Sequence, residues 1–117
     1  MNVLIVDDNV LIRKMIRSTL EAEGESCAEA ATAAEALLAI HGDAPDVVLL
    51  DLNLPDADGL TLLRMLASTP AVSFPKVFLV TGSDDVGLGE EARRLGARGV
   101  LRKPVTPPVL LRAVRGA

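Results

Sequence analysis

Three carboxylates, a hydroxyl and an ammonium are the groups in this chain whose placement suggests joint chemistry. Asp7-Asp8 follow the apolar run Val3-Leu4-Ile5-Val6, Asp51 follows Val47-Val48-Leu49-Leu50, Thr81 follows Val77-Phe78-Leu79-Val80, and Lys103 lies just beyond Val100-Leu101. Acidic groups brought close together raise one another's pKa and repel unless a cation relieves them. Oxygen ligands without a His or Cys partner favour a hard ion. Mg²⁺ takes one or two carboxylates, keeps several waters and completes its shell with phosphate oxygen. A phosphoryl ligand follows from that preference. Lys103 can neutralise one of its oxygens as a point charge, the Thr81 hydroxyl can donate to another, and Gly82 leaves room for the anion. An aspartate can itself be the nucleophile in phosphoryl transfer, giving an acyl phosphate. Asp51, alone at the end of its run, is the best-placed nucleophile, and Asp7 and Asp8 are better placed as metal ligands.

This grouping requires the four runs to end at one edge. Each is apolar throughout rather than alternating, the pattern of strands buried on both faces of a parallel sheet, and such sheets bind ligands outside the carboxyl ends of their strands. Between the runs the period changes. Leu11, Ile12, Met15, Ile16, Thr19 and Leu20 recur at helical spacing, with Asn9 as N-cap, Arg13, Lys14, Arg17 and Glu21 on the other face, and Gly24 beyond the end. A weak strand spans residues 26–30. Thr32 caps a second helix over 33–40, with His41-Gly42 at its end, and Pro45 breaks the chain before the third strand. The loop Leu54-Pro55-Asp56-Ala57-Asp58-Gly59 feeds a helix over 60–67 closed by Ser68-Thr69-Pro70. A fourth helix spans 86–95, loosened by Gly87 and Gly89, each costing about 1 kcal/mol against Ala. The fifth strand covers 99–102, and Pro107-Pro108 open a last helix through Ala113. Five strands alternating with five helices give an α/β three-layer sandwich with right-handed crossovers.

Composition narrows the function further. The 117 residues suit one domain, spanning 1–117, and 50% hydrophobic content excludes a disordered segment. No run approaches a membrane span, and no export signal follows Met1, so a soluble, cytoplasmic protein is expected. The net charge of -4 disfavours nucleic-acid binding, and Phe74 and Phe78, the only aromatics, offer no stacking platform. Cys27, the single cysteine, is expected to be structural.

The combination Val6-Asp7-Asp8, Asp51-Leu52-Asn53-Leu54-Pro55-Asp56-Ala57-Asp58-Gly59, Thr81-Gly82, Gly96-Ala97 and Lys103-Pro104 resembles the receiver domain of two-component response regulators, the CheY-like family, over essentially the whole chain. The resemblance implies a flavodoxin-like sheet of order 2-1-3-4-5. It implies that Asp51 accepts phosphate from a histidine kinase or a histidine phosphotransfer protein, and that Asp7, Asp8, Asp51 and the backbone carbonyl of Asn53 hold Mg²⁺. It further implies that Thr81, Gly82 and Lys103 sense the phosphoryl group, that the Lys103-Pro104 bond is cis, and that the side chains of Asn53 and Ser83 tune self-dephosphorylation. Such a domain is a stoichiometric phosphoacceptor that assists its own phosphorylation and dephosphorylation, not an enzyme, and it passes its signal to a downstream protein partner.

One departure stands out. Where many receivers carry Tyr or Phe three residues before the lysine, this chain has Val100, and Val105 replaces the aromatic often found after Lys-Pro. A shift of the loop after Thr81 and of the Gly87/Gly89 helix is the expected substitute for aromatic rotation. The remaining polar residues have simpler roles: Arg13, Lys14 and Arg17 as a solvated helix face that also suits a phosphodonor, His41 as a charge at a helix end, Asp56 and Asp58 as loop shapers, and Asp84-Asp85 as a cap of the fourth helix. A flavin binder of the same fold would need a Gly-rich phosphate loop where Asp7-Asp8-Asn9 stand. A haloacid-dehalogenase-type phosphatase would need its nucleophile on the first strand. A phosphate-independent interaction module is the main rival. The kinase, the output partner, the oligomeric state, and whether the domain stands alone or is excised from a longer regulator (which the short last helix slightly favours) stay open.

Overall fold

The computed structural model describes residues 1–68, 74–82 and 86–116. Five strands, β1 (Asn2–Val6), β2 (Ser26–Ala30), β3 (Val47–Asp51), β4 (Lys76–Thr81) and β5 (Gly99–Arg102), alternate with five helices, α1 (Val10–Glu21), α2 (Ala33–Asp43), α3 (Gly59–Ala67), α4 (Val86–Arg94) and α5 (Pro107–Gly116). All neighbouring strands pair in parallel, in the order β2-β1-β3-β4-β5. The order reverses at β1, which leaves the crevice where ligands of open α/β sheets bind beyond the ends of β1 and β3.

The side-chain period of two sorts the apolar runs between two cores. Leu4, Val6, Val48, Leu50, Val77 and Leu79 pack with Ile40, Leu62, Leu63 and Leu88 from α2, α3 and α4. Val3, Ile5, Val47, Leu49, Phe78 and Val80 pack with Ile16, Leu20, Leu110 and Val114 from α1 and α5. The strands are unbroken apolar runs because both faces are covered. Cys27 joins the second core at its margin, and burial pushes its thiol up to about 11, as suits a structural cysteine.

Several boundaries and faces differ from the sequence expectation. In α1 only Ile16 and Leu20 are buried, with Ile12 partly so, while Leu11 is 75% and Met15 49% exposed. The helix rests on a narrow i, i+4 stripe, and its other apolar residues fall to the side of it. Helix α2 runs on to Asp43 and ends at Ala44 in the left-handed region (φ 43°), rather than at Gly42. Helix α3 begins one residue early at Gly59, α4 ends at Arg94, and α5 continues past Ala113 because Val114 is also buried. It is therefore longer than the sequence suggested. Asp56 does more than shape its own loop: its carboxylate accepts from the backbone N–H groups of Ala33 (2.8 Å) and Ala34 (3.1 Å) in the first turn of α2. Asp58 is the N-cap of α3, accepting from the Thr61 N–H at 2.7 Å. Ser83, the proposed cap Asp84-Asp85 and the Thr69-Pro70 end of α3's closure lie outside the described residues.

Candidate functional site

Parallel register brings the polar ends of the strands together. Val6 pairs with Leu50, so Asp7 emerges beside Asp51; Asp51 pairs with Val80, so Thr81 is one residue further along β4; Thr81 pairs with Arg102, so Lys103 is next beyond β5. The Lys103 N–H donates to the Thr81 carbonyl at 2.8 Å, which fixes where the lysine leaves the sheet. The following Lys103-Pro104 peptide is cis.

Carboxylate oxygens of Asp7, Asp8 and Asp51 lie within 4.8 Å of one another. Asp7 and Asp51 are 3% and 4% exposed, whereas Asp8 faces solvent. Lys103 Nζ reaches both buried acids, at 3.3 Å from Asp7 Oδ2 and 3.2 Å from Asp51 Oδ1. Burial, and then the neighbouring Asp7 charge, push the Asp51 pKa up; the Lys103 ammonium and the Asn53 N–H, which donates to Asp51 Oδ1 at 3.4 Å, pull the other way without cancelling the rise. Burial depresses the Lys103 pKa, but the charges of Asp51 and Asp7 outweigh it, so the ammonium is held above its ordinary range. The site is a buried, acid-rich well with one cation across its mouth. Its donor set is all oxygen, it has an excess of negative charge, and one acid faces solvent, a set that suits a hard divalent ion.

The loops around the well are tied down individually. Asp7 Oδ1 accepts from the Asn9 N–H at 2.9 Å, and Asn9 Oδ1 in turn caps α1 by accepting from the N–H groups of Leu11 (2.9 Å) and Ile12 (3.1 Å). After β3, the Gly59 N–H donates to the Leu52 carbonyl at 2.6 Å, and Asn53 forms an isolated bridge with Asp58, so Asn53 is held over the end of the strand. Thr81 is buried and Gly82 exposed, with no atom within 4 Å of the position a Cβ on Gly82 would take. Beside Lys103, an apolar hollow of about 290 Å³ is lined by Ile12, Met15, Val80, Pro104 and Val105.

The comparisons with known proteins agree with this geometry. Residues 3–115 match the response regulator receiver domain. The chain belongs to that family. It is 39% identical over 115 residues to the C4-dicarboxylate transport transcriptional regulatory protein DctD of Pseudomonas aeruginosa, covering 98% of this chain and 24% of that protein. It is 34% identical over 113 residues to the DNA-binding response regulator MtrA of Mycobacterium tuberculosis, covering 97% of this chain and 48% of that protein. The chain thus spans between about a quarter and a half of these curated relatives. The structure of the chemotaxis response regulator CheY4 of Vibrio cholerae superposes with a TM-score of 0.89 at 30% identity, covering 98% of this chain and 96% of that one. Receiver domains are phosphoacceptors of two-component signalling, and among the described residues no helix is long and apolar enough to cross a membrane.

Of the residues singled out from sequence, Asp7, Asp8, Asp51 and Lys103 meet directly, Asn53 reaches Asp51 through its N–H, and Thr81 and Gly82 flank them on β4. Sequence reasoning missed Arg13. Rather than a solvated surface charge it is partly buried, with its Nε on Glu29 Oε1 (2.9 Å) and its Nη1 donating to the Asp7 carbonyl (2.7 Å). The signal was a lone acid, Glu29, in an otherwise uncharged strand, at a spacing from Arg13 that only the β1–α1–β2 fold makes short.

Proposed function

We propose that this receiver domain, spanning 1–117, takes a phosphoryl group onto Asp51 from a phosphohistidine of a histidine kinase or histidine phosphotransfer protein, with Mg²⁺ bound, and so alters the surface it offers to a downstream protein. The observation that carries the reading is the well itself: a buried carboxylate at the centre of an acid cluster with one ammonium beside it. Asp7, Asp8 and Asp51, with the backbone carbonyl of Asn53, would hold the metal. When bound, Mg²⁺ supplies charge neutralisation for the phosphoryl oxygens.

The remaining work falls to the chain. An Asp51 carboxylate oxygen forms the new bond to phosphorus as the P–N bond to the donor imidazole breaks, and the departing ring keeps that electron pair. Lys103 turns from Asp7 and Asp51 to the incoming phosphoryl oxygens, and Thr81 donates its hydroxyl to another of them, with Gly82 leaving the approach open. The side chains of Asn53 and Ser83 tune the later hydrolysis of the acyl phosphate and so set its lifetime. The domain turns over its own phosphate but is not a conventional enzyme. Exposed Met15, which lines the apolar hollow next to Lys103, and exposed Leu11, one turn before it on α1, give the donor an apolar footing. We place the domain in the cytoplasm with its kinase, and assign it no direct contact with nucleic acid.

Switching in this chain passes through α4. Val100 is partly buried against the first core, and a Cβ on Gly89 would sit 3.9 Å from Val100 Cγ2, so no aromatic ring stands at this point of the α4–β5 interface. Movement of Thr81 is therefore relayed by the segment that follows it to the glycine-bearing first turns of α4. Unchanged backbone NMR shifts over residues 83–95 on phosphorylation would refute that route.

Incubation with acetyl phosphate and Mg²⁺, followed by intact-mass measurement, tests the central claim. A single phosphoryl adduct, lost with Asp51→Ala and lost with EDTA, is the expected result. A folded protein that stays unmodified by acetyl phosphate and by phosphorylated histidine donors would support the phosphate-independent interaction module instead.

A further inference from the structure

Glu29 occupies the fourth position of edge strand β2, and its side chain is only 12% exposed. Three cations converge on its carboxylate: Arg13 Nε at 2.9 Å on one oxygen, Lys14 Nζ and Arg17 Nη1 each at 3.0 Å on the other. Lys14 is 62% exposed and Arg17 36%, and ion pairs at such positions contribute little. Arg13 differs from both. Its side chain is 14% exposed, and its other arm, Nη1, donates to the backbone carbonyl of Asp7 at 2.7 Å. One planar guanidinium therefore bridges a side chain of β2 and the main chain of the β1–α1 loop, a fork that an ammonium on a flexible stem cannot reproduce.

The loop is otherwise held from below and from its far end. The Asp7 N–H donates to the Ala30 carbonyl at 3.0 Å, at the end of the β1–β2 ladder, and Asn9 anchors the loop to α1. Arg13 is the hydrogen-bond partner of the Asp7 carbonyl among the described residues, and without it the peptide joining the two adjacent acids would lose that restraint. That peptide determines how Asp8 is aimed relative to Asp7.

We propose that Arg13, locked by Glu29, is a positioning residue for the divalent-cation site: it fixes the Asp7-Asp8 peptide so that both carboxylates face Asp51 before the ion arrives. The inference rests on the metal reading above. Positioning and simple charge predict opposite signs here. Arg13 is a positive charge next to an acid cluster, so by Coulomb's law alone its removal strengthens Mg²⁺ binding. If its role is positioning, removal weakens binding despite that gain.

The chain has no Trp or Tyr, so the test is a MgCl₂ titration followed by ¹H–¹⁵N NMR shifts rather than by fluorescence. Arg13→Gln and Arg13→Lys are each expected to raise the Mg²⁺ Kd about threefold to tenfold, at or below the low end of what losing an outer-shell partner costs. The metal-free Asn9 amide, which donates to Asp7 Oδ1, should exchange faster in both. Lys14→Gln removes the same charge from the same Glu29 without touching the loop, and should leave the Kd unchanged or slightly lower. Arg13→Lys keeps the charge and only a single-headed donor, so it carries the test alone if Arg13→Gln does not fold. An unchanged or lower Kd in the Arg13 variants, with the parent binding Mg²⁺, overturns the positioning role and leaves the metal site standing. A parent that shows no Mg²⁺-dependent shifts at Asp7, Asp8 or Asp51 overturns both.

Discussion

Replacing Gly59 with alanine should damage the proposed phosphoacceptor, Asp51, from behind. Gly59 is buried at the start of α3, and a Cβ there would lie 2.8 Å from the Asp51 carbonyl oxygen, 3.0 Å from Leu79 Cδ1 and 3.1 Å from Leu52 Cα. Two of these three atoms are backbone, so relief cannot come from a rotamer change. The Gly59 N–H is also bonded to the Leu52 carbonyl at 2.6 Å, which prevents the helix from backing away without losing that bond. Overpacking of this kind costs about 1–3 kcal/mol, and an unyielding backbone puts it near the top of the range. Alanine's better helix propensity returns at most about 1 kcal/mol, less in a first turn. The net loss is then about 2 kcal/mol. With a urea m-value of about 1.5 kcal/mol per M for a domain of this size, the unfolding midpoint should fall by about 1.3 M. Because the displaced atom belongs to Asp51, phosphorylation by acetyl phosphate should also slow in the folded variant. Gly82→Ala is the control: no atom lies within 4 Å of its new methyl, so its midpoint should match the parent's. A Gly59→Ala midpoint within about 0.2 M of the parent would refute the steric argument, since that is less than about 0.3 kcal/mol.

Three further outcomes are expected. The raised Asp51 pKa means that the folded protein binds this proton more tightly than the unfolded one. Its contribution thus favours folding below the unfolded pKa and is lost as pH rises through the folded value. Asp51→Asn, which keeps an acceptor for Lys103, should therefore raise the Tm in EDTA, and should lose most of the extra stability the parent gains from Mg²⁺; a lower Tm in EDTA would contradict this. Burial pushes the Glu29 pKa up, but hydrogen bonds from Lys14, Arg17 and Arg13 overcome it and hold the carboxyl at about 2, so its stabilisation is full above about pH 4.5 and disappears as pH falls through about 2. The difference in urea midpoint between the parent and Glu29→Gln should shrink across that window, and a pH-independent difference would count against the cluster. Finally, Asp56→Ala removes the carboxylate that receives the first N–H groups of α2, which should cost about 1 kcal/mol and speed amide exchange at Ala33 and Ala34; exchange rates equal to the parent's would show that water replaces it fully.

What the sequence disclosed and what it withheld divide along a physical line. Apolar runs Val3 to Val6 and Val47 to Leu50 identified two-face burial, and from that the common edge carrying Asp7, Asp51, Thr81 and Lys103 followed, because parallel strands all end on the same side. The caps Asn9, Thr32 and Asp58 were legible in principle from residue type, since a cap acts on its own chain two or three residues away. Contacts across longer separations were not. Arg13 looks like its neighbours Lys14 and Arg17 in any helical projection; only the packing of α1 against β2 separates the guanidinium that reaches the Asp7 carbonyl from the two cations nearer solvent. Asp56 acts 23 residues back along the chain, and the apolar character of Leu11 and Met15 says nothing of whether a neighbour covers them.

On the proposed reading, the charge arrangement of the well makes it depend on two ligands at once. Three carboxylates and one ammonium leave two negative charges, the amount a single divalent ion removes. In the metal-free protein Lys103 is shared between Asp7 and Asp51, so the cation that a phosphoryl group needs is engaged in holding two acids together. On the proposed reading, an ion among the three carboxylates takes over that duty and frees the ammonium. Metal binding then changes what Lys103 is available to do, not only the charge at Asp51. The same logic gives the sign for Lys103→Met: the variant should bind Mg²⁺ more tightly, because the competing cation is gone, and respond less to phosphorylation, because the ammonium that would turn to the phosphoryl oxygens is gone. Mg²⁺ affinity equal to or weaker than the parent's in Lys103→Met would show that the ammonium and the ion do not compete for the same carboxylates.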